Sequence, residues 1–433
     1  MTKLSDSSRD SLIKRFMPRK QEEAGAGAMS SCAAVPESMC RFDSFPAYQK
    51  LLAPRMAAQK LGVEDPFFKT HEGRAGATTV MEGQTRLNFS SYNYLGLSGD
   101  SRVSAAAKEA IDQYGTSASA SRLVAGERPV QRALEKELAR FYGCEDAVVF
   151  VSGHATNVTT IGTLFGPKDL ILHDSLIHNS ILDGIRLSGA TRRSFAHNDP
   201  EALDEILSDI RGRFERTLIV IEGLYSMDGD VPDLPRFIAL KKKHKAFLMV
   251  DEAHSVGVLG ETGRGIREVF GLQGTAVDIW MGTLSKALAS CGGYICGEKA
   301  LIDHLKYGAS GFVYSVGLAP PLAAAALEAL RILQKEPERV AWLRERAAFF
   351  LQKAQAHRLD TGFSEGHAVV PIIMGSSLKA VKISAALYLK GVNVQPIIHP
   401  AVEERAARLR FFLSCEHTEA QIIQTIETLS HLV

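Results

Sequence analysis

The chain has 433 residues, which is long for one core and points to roughly two domains. Hydrophobic residues make up 45% and charged residues 23%, an ordinary globular composition. Fifty basic residues against 49 acidic ones leave a formal charge of +1, which gives no electrostatic reason to expect nucleic acid or an anionic membrane as partner.

Residues 1–45 read as an extension. LSDSSRDSLIKRFM (4–17) places Leu4, Leu12, Ile13, Phe16 and Met17 behind Ser and Asp, a pattern for one short amphipathic helix with an N-cap. AGAGAMSSCAAVPES (24–38) reads as a linker. Two readings stand: a disordered tail, or a helix that docks a partner protein. LSDSSRDSLIKR resembles the helices that open modules of polyketide and peptide assembly lines, which implies an acyl carrier protein as partner. The six cysteines, Cys32, Cys40, Cys144, Cys291, Cys296 and Cys415, form no CxxC pair, and nothing resembles a secretory signal peptide. A reduced, cytoplasmic protein is expected.

Residues 46–95 read as an N-terminal segment. From about residue 140, apolar β-branched runs occur at AVVFV (147–151), LILH (170–173), TLIVIE (217–222), AFLMVD (246–251) and DIWMG (278–282), with GGYICG (292–297) as a further strand. Helix-like segments such as PEALDEILSDIRGRF (200–214) and LPRFIALKKKHK (234–245) lie between them. Continuous apolar strands alternating with helices predict a largely parallel sheet covered on both faces. LAPPLAAAALEALRIL (318–333) is broken by Pro320, Pro321, Glu328 and Arg331, so it reads as a packed helix and no integral membrane span is expected. After about residue 335 come long helices with strand-like pieces at VVPIIM (369–374) and RLRFFLS (408–414). The expected divisions are 1–45, 46–95, a large domain over 96–335 and a smaller C-terminal α/β domain over 336–433.

There is no GxxxxGK[ST], no GxGxxG after a first strand, no HExxH and no CxxC pair, so nucleoside triphosphates, nicotinamide and a metal site lose support. Ligands of a parallel sheet lie beyond the carboxyl ends of its strands. Ser152-Gly153-His154, Glu222-Gly223, Asp251-Glu252-Ala253-His254 and Gly282-Thr283 all fall at such ends, which points to one site.

Asp251 by itself reads as a helix cap or a buried ion pair. Its functional reading is a carboxylate that keeps a proton on a heteroaromatic nitrogen, as the electron sink of pyridoxal phosphate requires. Lys286, in MGTLSKALASCGGYICG (281–297), is either a solvated turn residue or an amine held for Schiff-base chemistry. Thr283 and Ser285 beside it offer hydroxyls to a phosphate, and Gly292-Gly293 permit tight turns.

VDEAHSVGVLGETGRG followed by GTLSKALASCGGY resembles the α-oxoamine synthase family of pyridoxal-phosphate enzymes, which includes serine palmitoyltransferase and aminooxononanoate synthase. NFSSYNYLGL (88–97), SASRLVAG (119–126), HDSLIHNSILDG (173–184), IEGLYSMDGD (221–230) and RLRFFLSCEHT (408–418) fit in family order. The resemblance implies an aspartate-aminotransferase-like (type I) fold with a mostly parallel seven-stranded sheet. It implies catalytic roles for Lys286, the Schiff-base lysine, and for Asp251 at the pyridine nitrogen, His254 at the phenolic oxygen and His178 stacked on the ring. Ser152, Gly153, His154, Ser226, Thr283 and Ser285 would complete the cofactor site, and Arg410 and Asn93 would bind substrate. The implied reaction joins a small amino acid to an acyl thioester, carried by coenzyme A or a carrier protein, with loss of carbon dioxide, to give an α-amino ketone.

Outside the motif His178 reads as a capping histidine and Arg410 as a surface strand residue. Arg408 is expected to be structural, since strand neighbours face opposite ways. Glu222 either supports the site or satisfies backbone groups. His154 stands where many members have an aromatic residue, Gln131 where members often have histidine, and Ile398, beside His399, where serine palmitoyltransferase and aminooxononanoate synthase carry arginine. Serine, glycine and alanine all remain open as the amino acid. YSVGLAPP (314–321) matches a loop that reaches the neighbouring subunit's cofactor phosphate in the family, which implies a homodimer. The competing readings are an aminotransferase or aldolase of the same fold, and a binding or assembly protein; Lys286, Asp251, His254 and His178 together argue against the last.

Overall fold

A computed structural model describes residues 35–60 and 64–433. The helix expected over 4–17 lies outside the described residues, as does most of the linker. The chain divides into two compact units at Gly62/Val63. In the first, short 3-10 turns at Glu37–Cys40 and Phe42–Ser44 precede the helix Pro46–Lys60.

The second unit carries three sheets. β1 (Thr78–Met81) and β2 (Gln84–Asn88) form a hairpin on the two-residue turn Glu82-Gly83. Both turn residues have positive φ, 53° and 69°, the twist that matches a right-handed strand pair. No strand was expected within 46–95, because the alternation is short and half exposed.

The main sheet contains β3 (Asp146–Phe150), β4 (Leu170–Asp174), β5 (Thr191–Phe195), β6 (Thr217–Glu222), β7 (Phe247–Asp251), β8 (Ile279–Thr283) and β9 (Gly293–Gly297). Its order is β3-β9-β8-β7-β6-β4-β5, and β9 alone runs antiparallel to its neighbours. Every residue of β3, β4 and β6 is buried, which is why these runs are continuously apolar. Alternate residues feed two cores: Ile219 and Ile221 of β6 pack on one face, Leu218 and Val220 on the other. β5 is the strand the apolar pattern missed. Its sequence TRRSF is mostly exposed at the sheet edge, where Arg192 and Arg193 replace the apolar run and discourage pairing with another chain.

The apolar run at 318–333 forms the helix Pro320–Lys335, started by proline and buried along Ala323, Ala326, Leu330 and Leu333. Among the described residues no helix is long and apolar enough to cross a membrane. Toward the C-terminus β10 (Val369–Ile373), β12 (Pro396–Ile397) and β13 (Arg408–Phe412) make a third sheet in the order β10-β13-β12, while β11 (Val392–Asn393) joins β2.

Candidate active site

Polar residues gather where the parallel strands end. Glu222 and Asp251 lie side by side in register at the ends of β6 and β7. Lys286 sits on the connection from β8 to β9. That connection is closed by Leu284 N–H to Gly292 O, Ser290 N–H to Leu284 O and Ala289 N–H to Lys286 O, each 2.9 Å. The lysine is thus carried on a folded loop.

Lys286 Nζ lies 2.9 Å from His254 Nε2, and His254 Nδ1 lies 2.7 Å from the Tyr94 hydroxyl. The Tyr92 ring sits 5.4 Å from the amine. Burial lowers the lysine pKa to about 8, against the pull of Asp251 and Glu222 and with help from Arg410. Burial and the Lys286 charge keep His254 well below its usual range, so its imidazole is neutral. Burial raises the Tyr94 phenol, which stays protonated. With Lys286 uncharged, Tyr94 donates to Nδ1 and Nε2–H points at the amine; with Lys286 charged, both hydrogen bonds reverse.

Asp251 is 5% exposed. Its Oδ2 accepts from Asn157 Nδ2 and its Oδ1 from Ala253 N–H, both at 2.9 Å. The same Asn157 amide donates to Ser180 Oγ at 2.9 Å, and Ser180 Oγ meets His178 Nδ1 at 2.8 Å. His178 caps the helix Asn179–Ser188, with Ser180 N–H donating to its Nδ1 at 3.3 Å. Burial lowers the His178 pKa despite the nearby Asp251 charge. Glu222 accepts from Ser226 N–H at 3.0 Å, and its Oε1 is buried without a partner. Burial, then the Asp251 charge, pushes its pKa up to about 8. Glu222 is therefore largely protonated at neutral pH.

A second cluster forms beside Lys286. Ser152 caps the helix Gly153–Leu164, whose N-terminus offers backbone N–H groups and the positive end of the dipole. Thr283 Oγ1 donates to Gly292 O at 3.0 Å, and the Ser285 hydroxyl exchanges hydrogen bonds with Gly292. A Cβ on Gly153 would lie 2.9 Å from Thr283 Oγ1, and one on Gly293 would lie 2.7 Å from Gly153 Cα. Only glycine allows this approach. Ser285, Lys286 and Asn93 also line a cavity of about 290 Å³ with Ser90, Ser91 and Tyr92. The Asn93 amide is committed to Ala75 O (3.2 Å) and Ser98 N–H (3.0 Å).

Arg410 donates to Ser226 O at 2.9 Å, its guanidinium lies 4.7 Å from the Phe412 ring, and its buried Nε has no partner. Arg408 pairs with Asp228 at 2.6 Å. Arg408 and Arg410, two apart, share a strand face, and both reach the 226–228 loop. The difference is the partner: Asp228 occupies Arg408, and no carboxylate among the described residues pairs with Arg410. His154 is exposed, 3.6 Å from Asp183. Sequence reasoning missed Asn157, Tyr92 and Tyr94. Asn157 lies one helical turn beyond Gly153, facing the strand ends, which is a signal the spacing does carry.

The aminotransferase class I and II family matches residues 84–429. The chain is 41% identical over 357 residues to the 8-amino-7-oxononanoate synthase of Fervidobacterium nodosum, covering 82% of this chain and 90% of that one. It is 40% identical over 361 residues to the 8-amino-7-oxononanoate synthase of Thermosipho melanesiensis, covering 83% and 92%. Among solved structures it resembles SPT with its PLP internal aldimine (TM-score 0.86, 30% identity, 90% of this chain and 98% of that one). It also resembles the Sphingomonas wittichii serine palmitoyltransferase (TM-score 0.85, 31% identity, 89% and 97%). The chain belongs to the aminotransferase class I and II family, in its α-oxoamine synthase branch. It is a pyridoxal-phosphate-dependent C-acyltransferase with the type I fold. The donor set fits that cofactor: an amine of lowered pKa, a buried carboxyl group held from behind by Asn157, and a glycine-lined helix N-terminus with hydroxyls.

Proposed function

We propose that the chain condenses glycine, alanine or serine with an acyl thioester, releasing carbon dioxide and free thiol and leaving an α-amino ketone. Decarboxylating condensation of an amino acid with an acyl thioester is the reaction of the family branch. The observation that carries the assignment of residues is Lys286 Nζ at 2.9 Å from a neutral, buried His254, in the charge field of Asp251 and Arg410.

Pyridoxal phosphate, when bound, supplies the electron sink for the amino acid's α-carbon. Asp251, oriented by Asn157, would hold the proton on the ring nitrogen. His178, its orientation set by Ser180, would pack against the ring face. Ser152, Gly153, Thr283 and Ser285 would hold the phosphate, and His254 would bond the phenolic oxygen. Lys286, with a pKa of about 8, is present partly as free amine near neutral pH and moves the α-proton. Arg410 presents N–H groups to the amino acid's carboxylate, a pairing suited to a planar fork. Ser226 lines this wall through its backbone, and Asn93 lines the cavity beside Lys286. His154 closes the outer edge beside His178.

A homodimer is supported by apolar side chains exposed on and near the 314–321 loop: Tyr314 is 88% exposed and Val124 82%. The acyl group is delivered by coenzyme A or by an acyl carrier protein that residues 1–45 recruit. Deleting those residues should slow turnover with carrier-bound acyl groups more than with acyl-CoA. Equal slowing removes the docking role.

The deciding experiment is a matrix of amino acids against acyl-CoA lengths, with carbon dioxide and products measured. Carbon dioxide should appear only when an acyl thioester is added. Amino-group transfer or retro-aldol cleavage without acyl donor would instead place the chain among the aminotransferases or aldolases.

A further inference from the structure

A buried ionic bridge lies behind the candidate site. His197 Nδ1 meets Asp174 Oδ1 at 2.9 Å, and His197 Nε2 meets Asp230 Oδ2 at 2.9 Å. The Asp174 side chain is fully buried. The three residues come from separate elements: Asp174 ends β4, His197 follows β5, and Asp230 closes the loop after β6. Burial opposes a charged imidazole, but the two carboxylates overcome it and raise the His197 pKa to about 10. The His197 ring is therefore an imidazolium across the neutral range, held between two carboxyl groups.

Each carboxylate also shapes a different loop. Asp174 Oδ1 accepts from Leu176 N–H at 2.8 Å, and Asp174 O accepts from Ile177 N–H at 3.3 Å, which forms the turn that presents His178. Asp230 O accepts from Tyr225 N–H at 3.0 Å, and Tyr225 O accepts from Gly229 N–H at 2.9 Å. These bonds fold residues 225–230, the loop whose Ser226 carbonyl receives Arg410. Tyr225 adds a second tie, donating from its hydroxyl to Asp174 Oδ2 at 2.9 Å. The ring itself is pinned by its turn, since Asn198 N–H donates to Asp174 and Asp199 caps the helix Pro200–Ile210.

We propose that His197, by bridging Asp174 and Asp230, is a positioning residue that sets the spacing between the His178 turn and the loop that anchors Arg410. The inference rests on the roles assigned above to His178 and Arg410. A buried ion triad adds little stability over an apolar packing of equal volume, whereas a doubly bonded planar ring fixes a distance. Asparagine, glutamine or an apolar residue cannot donate from both ends while carrying charge. Cofactor and amino acid should thus both bind less well when the bridge is cut, since each touches one of the two loops.

The test uses the full chain and two variants, His197→Gln and Asp230→Asn. Pyridoxal phosphate affinity is measured by titrating cofactor-depleted protein. Glycine, L-alanine and L-serine affinities are read from the spectrum of the loaded protein without acyl donor. His197→Gln should weaken cofactor and amino acid binding together, each by roughly tenfold, with kcat at saturation changed by less than about threefold. Asp230→Asn, which keeps an acceptor but loses a charge, should move both constants the same way by a smaller factor. A folded variant in which either constant stays at the wild-type value overturns the proposal, even if its melting temperature falls. Should His197→Gln fail to fold, Asp230→Asn decides by the same criterion. A wild-type chain that binds none of the three amino acids removes the role of Arg410, and the cofactor constant then decides alone. A wild type that binds them but never releases carbon dioxide defeats the proposed reaction and leaves these binding constants as readable as before.

Discussion

The two ends of the main sheet are built from the same apolar strands yet carry different chemistry. At the carboxyl ends, Lys286 is lowered to about 8, Glu222 is raised to about 8 and His254 is held neutral. At the amino ends, charges sit in ordinary ion pairs such as Arg216–Asp169 and Lys241–Asp278. The larger cavity is at the amino end, about 420 Å³ lined by Cys144, Phe165, Phe247 and His304, against about 290 Å³ beside Lys286. Cavity size therefore does not mark the site. Perturbed ionisable groups converging from several strand ends do. The physical reason is the chain path: every βα connection leaves from a carboxyl end, so loops bring side chains there from distant parts of the sequence.

That contrast can be broken most severely at Lys286. Lys286→Ala should lower condensation by about a thousandfold or more and abolish the borohydride-sensitive absorbance band; a variant with full activity and an intact band would sink the assignment. In the wild type, recharging of cofactor-depleted protein should speed up as pH rises through about 8, because the free amine is the reacting form. A rate flat from pH 6.5 to 9 contradicts the lowered lysine. Arg410→Ala should raise the amino acid half-saturation by roughly thirtyfold, the cost of a charge-assisted contact, with a smaller change in kcat. An unchanged half-saturation would return Arg410 to a surface role.

Glu222 sharpens the comparison further. Its folded pKa of about 8 lies above the ordinary 4.5, so folding takes up a proton between those values. Its contribution to stability is full below about pH 4.5 and is lost as pH rises through about 8. Glu222→Gln should keep activity within about threefold at pH 7 and gain melting temperature relative to wild type as pH rises from 5 to 9. Parallel stability curves would show that Glu222 is already charged. The smallest effect belongs to the amino end: Cys144→Ala should cost about 1 kcal/mol or less and leave turnover within about twofold. A large kinetic loss there would mean that the two ends are coupled.

The sequence by itself determined the buried strands and the residue types at their ends. A run such as TLIVIE can be satisfied only by burial on both faces, and a polar residue closing it falls at the ligand edge whatever the details. Motif order alone also carried the α-oxoamine synthase resemblance. Edge strand β5 and the β1–β2 hairpin escaped because an exposed strand needs no apolar run. Asn157, Tyr94 and the His197 bridge escaped because each draws its meaning from a partner tens of residues away. Tertiary structure alone decided which of two like residues is available. Asp228 occupies Arg408, no carboxylate among the described residues pairs with Arg410, and burial beside Asp251 keeps Glu222 protonated. Pairing and desolvation are properties of neighbours in space, so spacing along the chain cannot assign them.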